Sequence, residues 1–383
     1  MNQVVVNVVK ARLRRQLVGW GRWMGFEVLG KEESIDFLSP YRIAATPGDQ
    51  AVLPDVNDFI DADKLVFGRT TAMPEPGYVW QYQSNARKAT LLRCGALFSE
   101  SKVLCLDWRG NQRLLSDFVT LQPRAIRDVD TVIAPWSHYL DGVRFGGYYD
   151  YLVLVAGKLC RIKEALPADV FNQAVVAYPL FNTAYEQELL ALIGFSGGQI
   201  FDSRSTDLRF TTCILGNSGH WFYPNMEDLM ALKRQIELQL ETDAYQSNRI
   251  YISRSGRRRI VNEDALIAML KKYDIQIIED RPRTVAEQVA IYRNASFIIG
   301  PHGGSFTNIL WCRPGTHLVE LFSSNYVPDF FLYMARQLDL RYSAHYFGPE
   351  SENRFSQLEE DILVSVPDLE RRLEQFFSEK STA

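Results

Sequence analysis

The sequence predicts an α/β protein whose second half is a doubly wound parallel sheet. From residue 248 onward, short apolar runs alternate strictly with helical patterns, which is typical of parallel strands joined by helices. The runs are bounded by Gly, Pro, Asn or Asp, as buried strands usually are. The chain has 383 residues, 46% of them hydrophobic and 23% charged, and this length suggests two or three globular domains.

The first half of the chain has a less regular pattern of strands and helices. Apolar runs predict strands at 102–107, 130–135, 173–180 and 211–216. Helical spacing of apolar residues predicts helices at 148–166, 184–195 and 225–241. We therefore predict a first α/β domain over residues 31–222.

The second half alternates strands and helices without interruption. Strands are predicted at 248–254, 275–280, 296–300, 316–322 and 341–347. Helices are predicted at 262–273, 284–295, from 305 to about 312, and at 328–338. The pattern predicts a ligand-binding domain over 223–365, followed by a C-terminal helix at 366–383.

The N-terminus is basic and amphipathic. Residues 1–30 carry five Lys or Arg before the first acid, Glu27, together with Trp, Phe and Leu at helical spacing. Such a helix can lie in a membrane surface, with contact through residues 1–26, or it can cover the body of the protein. No apolar run reaches the roughly 18–20 residues that a membrane span needs, so we predict no transmembrane helix.

Charge and cysteine content exclude several classes of protein. The net charge of −4 gives no overall affinity for nucleic acid. The five cysteines are scattered and contain no C-x-x-C pair, so neither a disulfide framework nor a zinc site is expected. The scattered, unpaired cysteines suit a protein of the reducing cytoplasm.

The segment "IIGPHGGSFTNILW" (298–311) stands out because a buried strand ends in a loop of Pro, His and two glycines and a helix begins at once. One explanation is a tight turn in which glycine adopts a positive φ. The other is an anion site, in which bare backbone N–H groups and a helix N-terminus bind a negatively charged ligand.

The other strand ends of this half favour the anion site. Because carboxyl ends of parallel strands share one edge of a sheet, the loop "SRSGRRR" (253–259), Glu279 and Glu320 should lie near the glycine loop. Arginines suit phosphate oxygens and carboxylates commonly bind ribose hydroxyls, so the set suits a sugar diphosphate. The chain contains neither a P-loop motif nor a G-x-G-x-x-G motif after a strand. The predicted donor-site residues are Ser253, Arg254, Arg258, Glu279, Gly303, Gly304, Ser305, Asn308 and Glu320.

These motifs resemble the core of glycosyltransferase family 61. The resemblance rests on "YISR-x3-R-x3-NE" from residue 251, "EQ" at 287–288, "IIGPHGGSFTNILW" and "THLVEL" from 316, and covers about residues 145–325. The family includes bacterial capsule and lipopolysaccharide enzymes, plant xylan-decorating transferases and animal O-linked N-acetylglucosaminyltransferases. The resemblance implies the GT-B fold, with two Rossmann-like domains facing each other across a cleft, and inversion of the anomeric centre.

The resemblance assigns roles to individual residues. Arg254 and Arg258 match the family's phosphate-gripping arginine pair. Further matches are Asn262, Glu263, Gln288, His302, Gly303, Gly304, Asn308 and Glu320. The segment "GYYDYL" (147–152) resembles an Asn-Tyr-x-His-Trp-Leu segment of the family, but Asp150 stands in place of the histidine and Gly147 in place of the asparagine.

Inverting transfer needs a base for the acceptor hydroxyl and stabilisation of the leaving diphosphate. Asp150 and His302 are the candidate catalytic residues; His302 can alternatively donate to the phosphates or hold the loop together. The Asp-x-Asp pairs at 61–63 and 128–130 precede apolar runs, a position unlike that of a metal-binding pair after a strand. We therefore expect no cofactor and no metal.

The predicted function is that of an inverting glycosyltransferase acting in surface polysaccharide biosynthesis. The donor would be a nucleotide-sugar, with a UDP-sugar favoured, and the acceptor a glycan or lipid-linked glycan. The predicted location is the cytoplasm, with peripheral contact to the inner membrane face as an option. Two alternatives stay open at this point: a non-catalytic scaffold that binds nucleotide-sugar or glycan, and a sugar-nucleotide epimerase of the same fold.

Overall fold

The structure is a computed structural model that describes residues 25–48, 52–68, 75–84, 89–107, 123–140, 147–240, 245–349 and 351–381. The basic helix predicted over 1–30, with its membrane contact, lies outside the described residues except for 25–30. No helix among the described residues combines the length and apolar character of a membrane span.

The described residues form two compact units: those within 1–49 and 74–239 belong to one, and those within 50–73 and 240–383 belong to the other. The strands of the first unit are β1 Glu27–Val28, β2 Arg42–Thr46, β3 Gly77–Gln83, β4 Ala89–Leu91, β5 Leu97–Ser99, β6 Lys102–Val103, β7 Ala125–Asp128, β8 Thr131–Ala134, β9 Val175–Tyr178, β10 Ile200–Asp202, β11 Thr206–Phe210 and β12 Thr212–Gly216. Its helices are Lys31–Leu38, Tyr148–Tyr151, Gly157–Ala165, Ala168–Gln173, Ala184–Ile193 and Met226–Glu237, with a π-helical segment at Leu152–Ala156 and 3₁₀ turns at Ser39–Tyr41, His138–Leu140 and Gly197–Gln199.

The strands of the second unit are β13 Asn248–Ile252, β14 Ile275–Ile278, β15 Ala295–Pro301, β16 His317–Ser323 and β17 Arg341–Phe347. Its helices are Glu263–Leu270, Val285–Arg293, Phe330–Gln337 and Val366–Ser381, with 3₁₀ segments at Lys271–Tyr273 and Gly304–Trp311. These elements follow the predicted order, and the prediction of an α/β protein is confirmed.

Within its described residues, the first unit has two six-stranded sheets. One has the order β1-β6-β5-β4-β11-β7 and the other β10-β9-β8-β12-β3-β2. In the second of these, β10, β9, β8 and β12 are parallel, while β3 and β2 are antiparallel additions at one edge. Both sheets of this unit therefore combine parallel and antiparallel strands, unlike the parallel sheet of the Rossmann-like domain that the resemblance implies. The antiparallel strands were not predicted from the sequence.

The domain boundaries differ from the predicted ones at two places. The helix Met226–Glu237, expected after a boundary at 222, belongs to the first unit, where it contacts the helix Gly157–Ala165 and Asp228 pairs with Arg161. Residues 50–73 lie in the second unit, where Phe59 donates its N–H to the carbonyl of Ala344 at 2.8 Å. Sequence order alone could not show that this early segment joins the later domain.

The five described strands of the second unit form one parallel sheet with the order β14-β13-β15-β16-β17. Its main core is built from the inner residues of these strands and from the closing helix, which contributes Leu369, Leu373 and Phe376. The C-terminal helix predicted as a separate element is thus part of this core. The order also fixes where the sheet can bind a ligand.

Candidate functional site

The strand order places a switch point between β13 and β15. The chain runs from β13 outward to β14, then returns to β15 on the other side of β13 and continues to β17. At such a point the connections leave in opposite directions, which opens a crevice at the carboxyl ends of the two strands. β13 ends at Ile252, just before Ser253 and Arg254, and β15 ends at Pro301, just before His302 and Gly303. The predicted arginine loop and glycine loop therefore meet here.

Arg254 lies against the backbone of Gly303. A Cβ added to Gly303 would overlap Arg254 Nη1 and stand 2.8 Å from its Cζ. The φ of Gly303 is 175°, an extended value that any residue adopts. The explanation by a positive φ therefore does not apply to Gly303, and the close approach of Arg254 is what requires glycine here.

Gly303 also precedes the 3₁₀ helix Gly304–Trp311 as its N-cap residue. The first N–H groups of a helix have no partner within it, which favours anions at this end. Ser305 is exposed in the first turn, and its carbonyl accepts a hydrogen bond from the Tyr292 hydroxyl at 2.8 Å. The predicted helix is therefore present, and Gly304 and Ser305 lie in its first turn beside Arg254.

Arg258 performs a different task from Arg254, although the resemblance pairs them. It is buried; its Nε donates to the carbonyl of His302 at 3.2 Å and its Nη1 to that of Leu358 at 2.6 Å. Its guanidinium lies 5.3 Å from the ring centre of Tyr326. Its φ of 59° is a left-handed value that is uncommon outside glycine. Arg258 thus ties the glycine loop to the 358 segment.

The arginine cluster carries positive charge that the protein only partly neutralises. Burial and the charge of Arg257 lower the pKa of Arg254. Burial and the charge of Arg254 lower the pKa of Arg258 to about 10. The lowered pKa values show that holding these charges close together costs free energy, and an anion placed among the arginines would reduce this cost.

A carboxylate at the end of β14, that of Asp280, shapes the arginine loop. Asp280 Oδ2 accepts hydrogen bonds from the Ser255 backbone N–H at 2.8 Å and from its hydroxyl at 2.7 Å. Although partial burial opposes it, these bonds and the charge of Arg254 hold the pKa of Asp280 below its usual value. The Glu279 side chain is exposed, and its carbonyl accepts from Arg283 Nη1.

His302 belongs to a buried chain of hydrogen bonds that sequence analysis did not foresee. Its Nδ1 is 2.5 Å from Glu320 Oε1, and the Tyr342 hydroxyl donates to Glu320 Oε2 at 2.6 Å. Glu320 is fully buried and both of its oxygens are engaged. This corrects its predicted role, because it supports His302 instead of offering a carboxylate to a ribose.

Burial also decides the charge state of this pair. It lowers the pKa of His302 well below 6.5, with help from the charge of Arg258, and it raises the pKa of Glu320 to about 8. Both groups are therefore uncharged at neutral pH. The carboxylic acid of Glu320 then donates to Nδ1, and the hydrogen of the imidazole lies on Nε2. In this state His302 can donate a hydrogen bond through Nε2.

Two further predicted residues help to hold the loops of the site in place. Asn308 is buried; its Nδ2 donates to Gln288 Oε1 at 2.9 Å and its Oδ1 accepts from Trp311 Nε1 at 3.0 Å. Ser253 continues the pairing of β13, since its N–H donates to the carbonyl of Ile278 at 2.9 Å. Both residues fix the position of the loops that carry Arg254 and Gly303.

Asp150, the other predicted catalytic residue, lies in the first unit. It is the third residue of the helix Tyr148–Tyr151, and in a capping-box arrangement its Oδ2 accepts a hydrogen bond from the N–H of Gly147 at 2.9 Å. Its Oδ1 accepts from Trp221 Nε1 at 2.7 Å. The carboxylate is thus held in one orientation by two donors, and it is buried.

The described residues contain one group with the spacing of metal ligands, formed by Asp58, Asp61 and His345. Asp58 Oδ1 accepts from His345 Nδ1 at 2.6 Å and from the N–H groups of Ile60 and Asp61. These bonds close a turn and attach it to β17. Hydrogen bonds within the protein therefore explain why Asp58 and His345 lie close together.

Sequence reasoning missed Tyr326 and Tyr342, and it placed Asp280 at the end of the strand predicted at 275–280 without counting it among the donor-site residues. Asp280 follows Glu279 directly at the end of this predicted strand. Because successive side chains of a strand point to opposite faces, the alternation along the strand could have shown which of the two carboxylates turns toward the arginine loop. Tyr326 and Tyr342 follow the glycine loop by more than 20 residues along the chain. No local pattern links them to it.

Comparison with known proteins agrees with this geometry. Residues 132–319, just under half of the chain, match the family model described as Glycosyltransferase 61. The "Xylan glycosyltransferase MUCI21" of Arabidopsis thaliana is 26% identical over 117 residues, which is 28% of this chain and 23% of that protein. The "EGF domain-specific O-linked N-acetylglucosamine transferase" of Drosophila melanogaster is 33% identical over 96 residues, 24% of this chain and 18% of that protein.

The chain covers roughly a fifth of the length of these curated relatives. The family model, by contrast, spans the region from β8 to the middle of β16 and includes Arg254, Arg258, His302 and Gly303. The matched region begins in the first unit, contains both loops of the switch-point site and ends one residue before Glu320. Together, the family match and the two named relatives relate this chain, over residues 132–319, to glycosyltransferase family 61.

Proposed function

We propose that the protein is a glycosyltransferase that binds a nucleotide-sugar through its diphosphate at the switch point of the second unit. The observation that carries the proposal is the position of Arg254 against Gly303, at a helix N-terminus and beside two more arginines. Arginine forks and backbone N–H groups are strong donors to phosphate oxygens. The relationship to family 61 supports the same reading.

The chemistry that this site supports is stabilisation of a leaving diphosphate. In an inverting transfer, the acceptor oxygen bonds to the anomeric carbon as the bond from that carbon to the diphosphate oxygen breaks. Negative charge grows on the diphosphate, where Arg254 and the N–H groups after Gly303 are placed to bind it. His302, with its hydrogen on Nε2, would add a neutral donor.

The acceptor hydroxyl must lose its proton to a base, and we propose Asp150 for this role. The bonds from Gly147 and Trp221 hold its carboxylate in one orientation. His302 is less suited, because burial lowers its pKa well below 6.5 and so makes it a weak base, and because its Nδ1 is bonded to Glu320.

The finer parts of the proposal rest on the family resemblance and on the sequence. They are the GT-B arrangement, inversion, a UDP-sugar as donor, and action without a metal ion. The proposed acceptor is a glycan or lipid-linked glycan of a surface polysaccharide. The proposed location is cytoplasmic, with peripheral membrane contact through residues 1–26.

The experiment that tests the activity incubates the full chain with UDP-, GDP-, CMP- and dTDP-sugars, with and without an oligosaccharide mixture, and follows release of free nucleotide and the identity of the sugar. The Asp150→Asn variant is the control, because it keeps the size and hydrogen-bonding shape of the side chain. We expect release that depends on acceptor and is lost in this variant. Nucleotide binding without release would indicate a scaffold, and conversion of the sugar without acceptor would indicate an epimerase; either result overturns the proposal.

A further inference from the structure

The first unit contains buried charges that its fold alone does not require. Lys158 Nζ and Asp107 Oδ2 lie 3.8 Å apart, and both side chains are completely buried. One helical turn further on, buried Arg161 pairs with buried Asp228. Buried ion pairs usually stabilise a protein less than well-packed apolar groups of the same size. A gain in stability therefore does not explain why these two ion pairs are buried in the first unit.

These charges hold the chain where two parallel strands end. Lys158 Nζ donates to the carbonyl of Trp136 at 2.9 Å, just after β8. Asp107 accepts from the N–H of Ser218 at 2.7 Å, and Arg161 Nη2 donates to the carbonyl of Asn217 at 2.7 Å, just after β12. Because β8 and β12 are neighbours in register, both segments lie at the carboxyl edge of one parallel sheet. Ligands of open α/β sheets bind at this edge.

The fixed segments present a cluster of half-buried aromatic rings. The ring centre of Tyr139 lies 6.3 Å from that of His220 and 6.4 Å from that of Trp221. Trp221 stacks on Phe222 with 5.5 Å between ring centres. All four side chains are half-buried, so that each keeps part of its ring surface accessible.

Two polar groups accompany these rings. Asp150 accepts from Trp221 Nε1 and thereby fixes the indole plane. His220 Nδ1 accepts from the N–H of Phe222 at 3.2 Å, and burial together with the charge of Lys31 lowers the pKa of His220 to about 4. The imidazole is therefore neutral at pH 7, with its hydrogen on Nε2, where it can donate.

We propose that this edge of the first unit is a carbohydrate-binding platform, on which a pyranose ring of a neutral oligosaccharide stacks against Trp221 and bonds to His220 and Asp150. A sugar ring has one face of C–H groups and a rim of hydroxyls, which matches aromatic rings beside one donor and one carboxylate. The inference rests on the proposed function, for which it names a neutral glycan as acceptor.

A nucleotide is a poorer match to the same surface. Its base could stack on the rings, but its phosphates would meet the carboxylate of Asp150. The nearby cations are buried as well: Lys158 and Arg161 donate to backbone carbonyls, and Lys31 forms an ion pair with Glu75. Charge therefore separates this platform from the arginine-rich site of the second unit.

The test is ligand-observed NMR on the full chain with xylotetraose, cellotetraose, mannotetraose and chitotetraose as probes, in the absence of nucleotide. We expect at least one to bind, and we expect Trp221→Ala and His220→Ala each to weaken that binding roughly tenfold or more. Trp221→Phe should weaken it less than Trp221→Ala, because an aromatic face is retained. UDP binding to the same variants is measured in parallel and should not change.

Three results overturn the inference: no probe binds at millimolar concentration to protein that binds a nucleotide, binding is unchanged in both alanine variants, or UDP competes with the bound glycan at the platform. Glycan binding that depends on Trp221 in a protein that binds no nucleotide would instead leave the platform standing and refute the proposed function. The two proposals therefore fail separately. Thermal unfolding of each variant confirms that it is folded.

Discussion

The substitution Gly303→Ala tests the link between the glycine loop and the arginine that lies on it. The backbone at Gly303 is extended, so alanine introduces no conformational strain. Its methyl group would, however, overlap Arg254 Nη1 and lie 2.8 Å from Cζ. Arg254 must therefore move its guanidinium away, while the rest of the loop can stay as it is.

The size of the effect follows from the hydrogen bonds that Arg254 would lose. A charge-assisted hydrogen bond contributes about 1.5–3 kcal/mol, and each 1.4 kcal/mol is a factor of ten in affinity, so we expect UDP to bind roughly 10- to 100-fold more weakly. Stability should change little, since replacing glycine in a compatible conformation stabilises by about 0.4–1 kcal/mol and offsets the cost of moving one flexible side chain.

The assay is titration calorimetry with UDP on the wild type, Gly303→Ala, Arg254→Ala and the double variant. Gly256→Ala is the matched control, because the same methyl group at Gly256 in the arginine loop meets nothing within 4 Å. If Arg254 is the cause, the double variant binds no more weakly than Arg254→Ala alone. Losses that simply add, or normal binding by Gly303→Ala, would refute the reasoning.

Three further predictions follow from the site. Arg258→Ala should lower the free energy of unfolding by about 2–4 kcal/mol in urea titrations, because the buried carbonyl of His302 and the carbonyl of Leu358 lose a charged donor; an unchanged midpoint would contradict its role as a clamp. Glu320, with its pKa raised to about 8, keeps a proton that the unfolded chain releases above about 4.5, so its contribution to stability is lost as the pH rises between these values. Above pH 6.5 His302 is mostly neutral in the folded and the unfolded states, so it adds little to the pH dependence there. Between pH 6.5 and 8, Glu320→Gln should therefore reduce the slope of the free energy of unfolding against pH by up to about 1.4 kcal/mol per pH unit. An unchanged slope would show that Glu320 is already ionised. Asp150→Asn should lower turnover by at least ~100-fold with UDP binding intact, and equal turnover would exclude it as the base.

The second unit could be predicted closely from the sequence because its signals are local. Strand β17 has the predicted bounds 341–347, and each other strand of this sheet begins and ends within two residues of its prediction. Buried parallel strands are continuous apolar runs, and the helices between them begin with good capping residues such as Thr284. The glycine loop and Arg254 were found for the same reason.

The first unit was harder to predict because its strands depend on distant partners. Strand β4, Ala89–Leu91, has only three residues and pairs with residues near 98 and near 210. Such short strands carry no clear alternation of their own. Of the run predicted as a strand at 102–107, only Lys102–Val103 pairs with a neighbouring strand. Asp107, at the end of the run, is buried and accepts hydrogen bonds from Ser218.

The roles of the site residues depended on side-chain contacts that no motif encodes. The resemblance treats Arg254 and Arg258 as a pair, yet one lies over Gly303 and the other bonds to two carbonyls inside the unit. Likewise, Glu320 closes a matching motif but is bonded to His302 and Tyr342. A motif gives the position of a residue in the chain, whereas packing determines which of its atoms remain available.

The central claim is that the switch point of the second unit binds a nucleotide diphosphate through Arg254. The most direct test is thermal stabilisation of the full chain by UDP, GDP, CMP and dTDP, each with and without EDTA, for the wild type and Arg254→Ala. The account predicts a shift for one nucleotide that persists in EDTA and disappears in the variant. No shift with any nucleotide in well-folded protein, or an equal shift in Arg254→Ala, would contradict it.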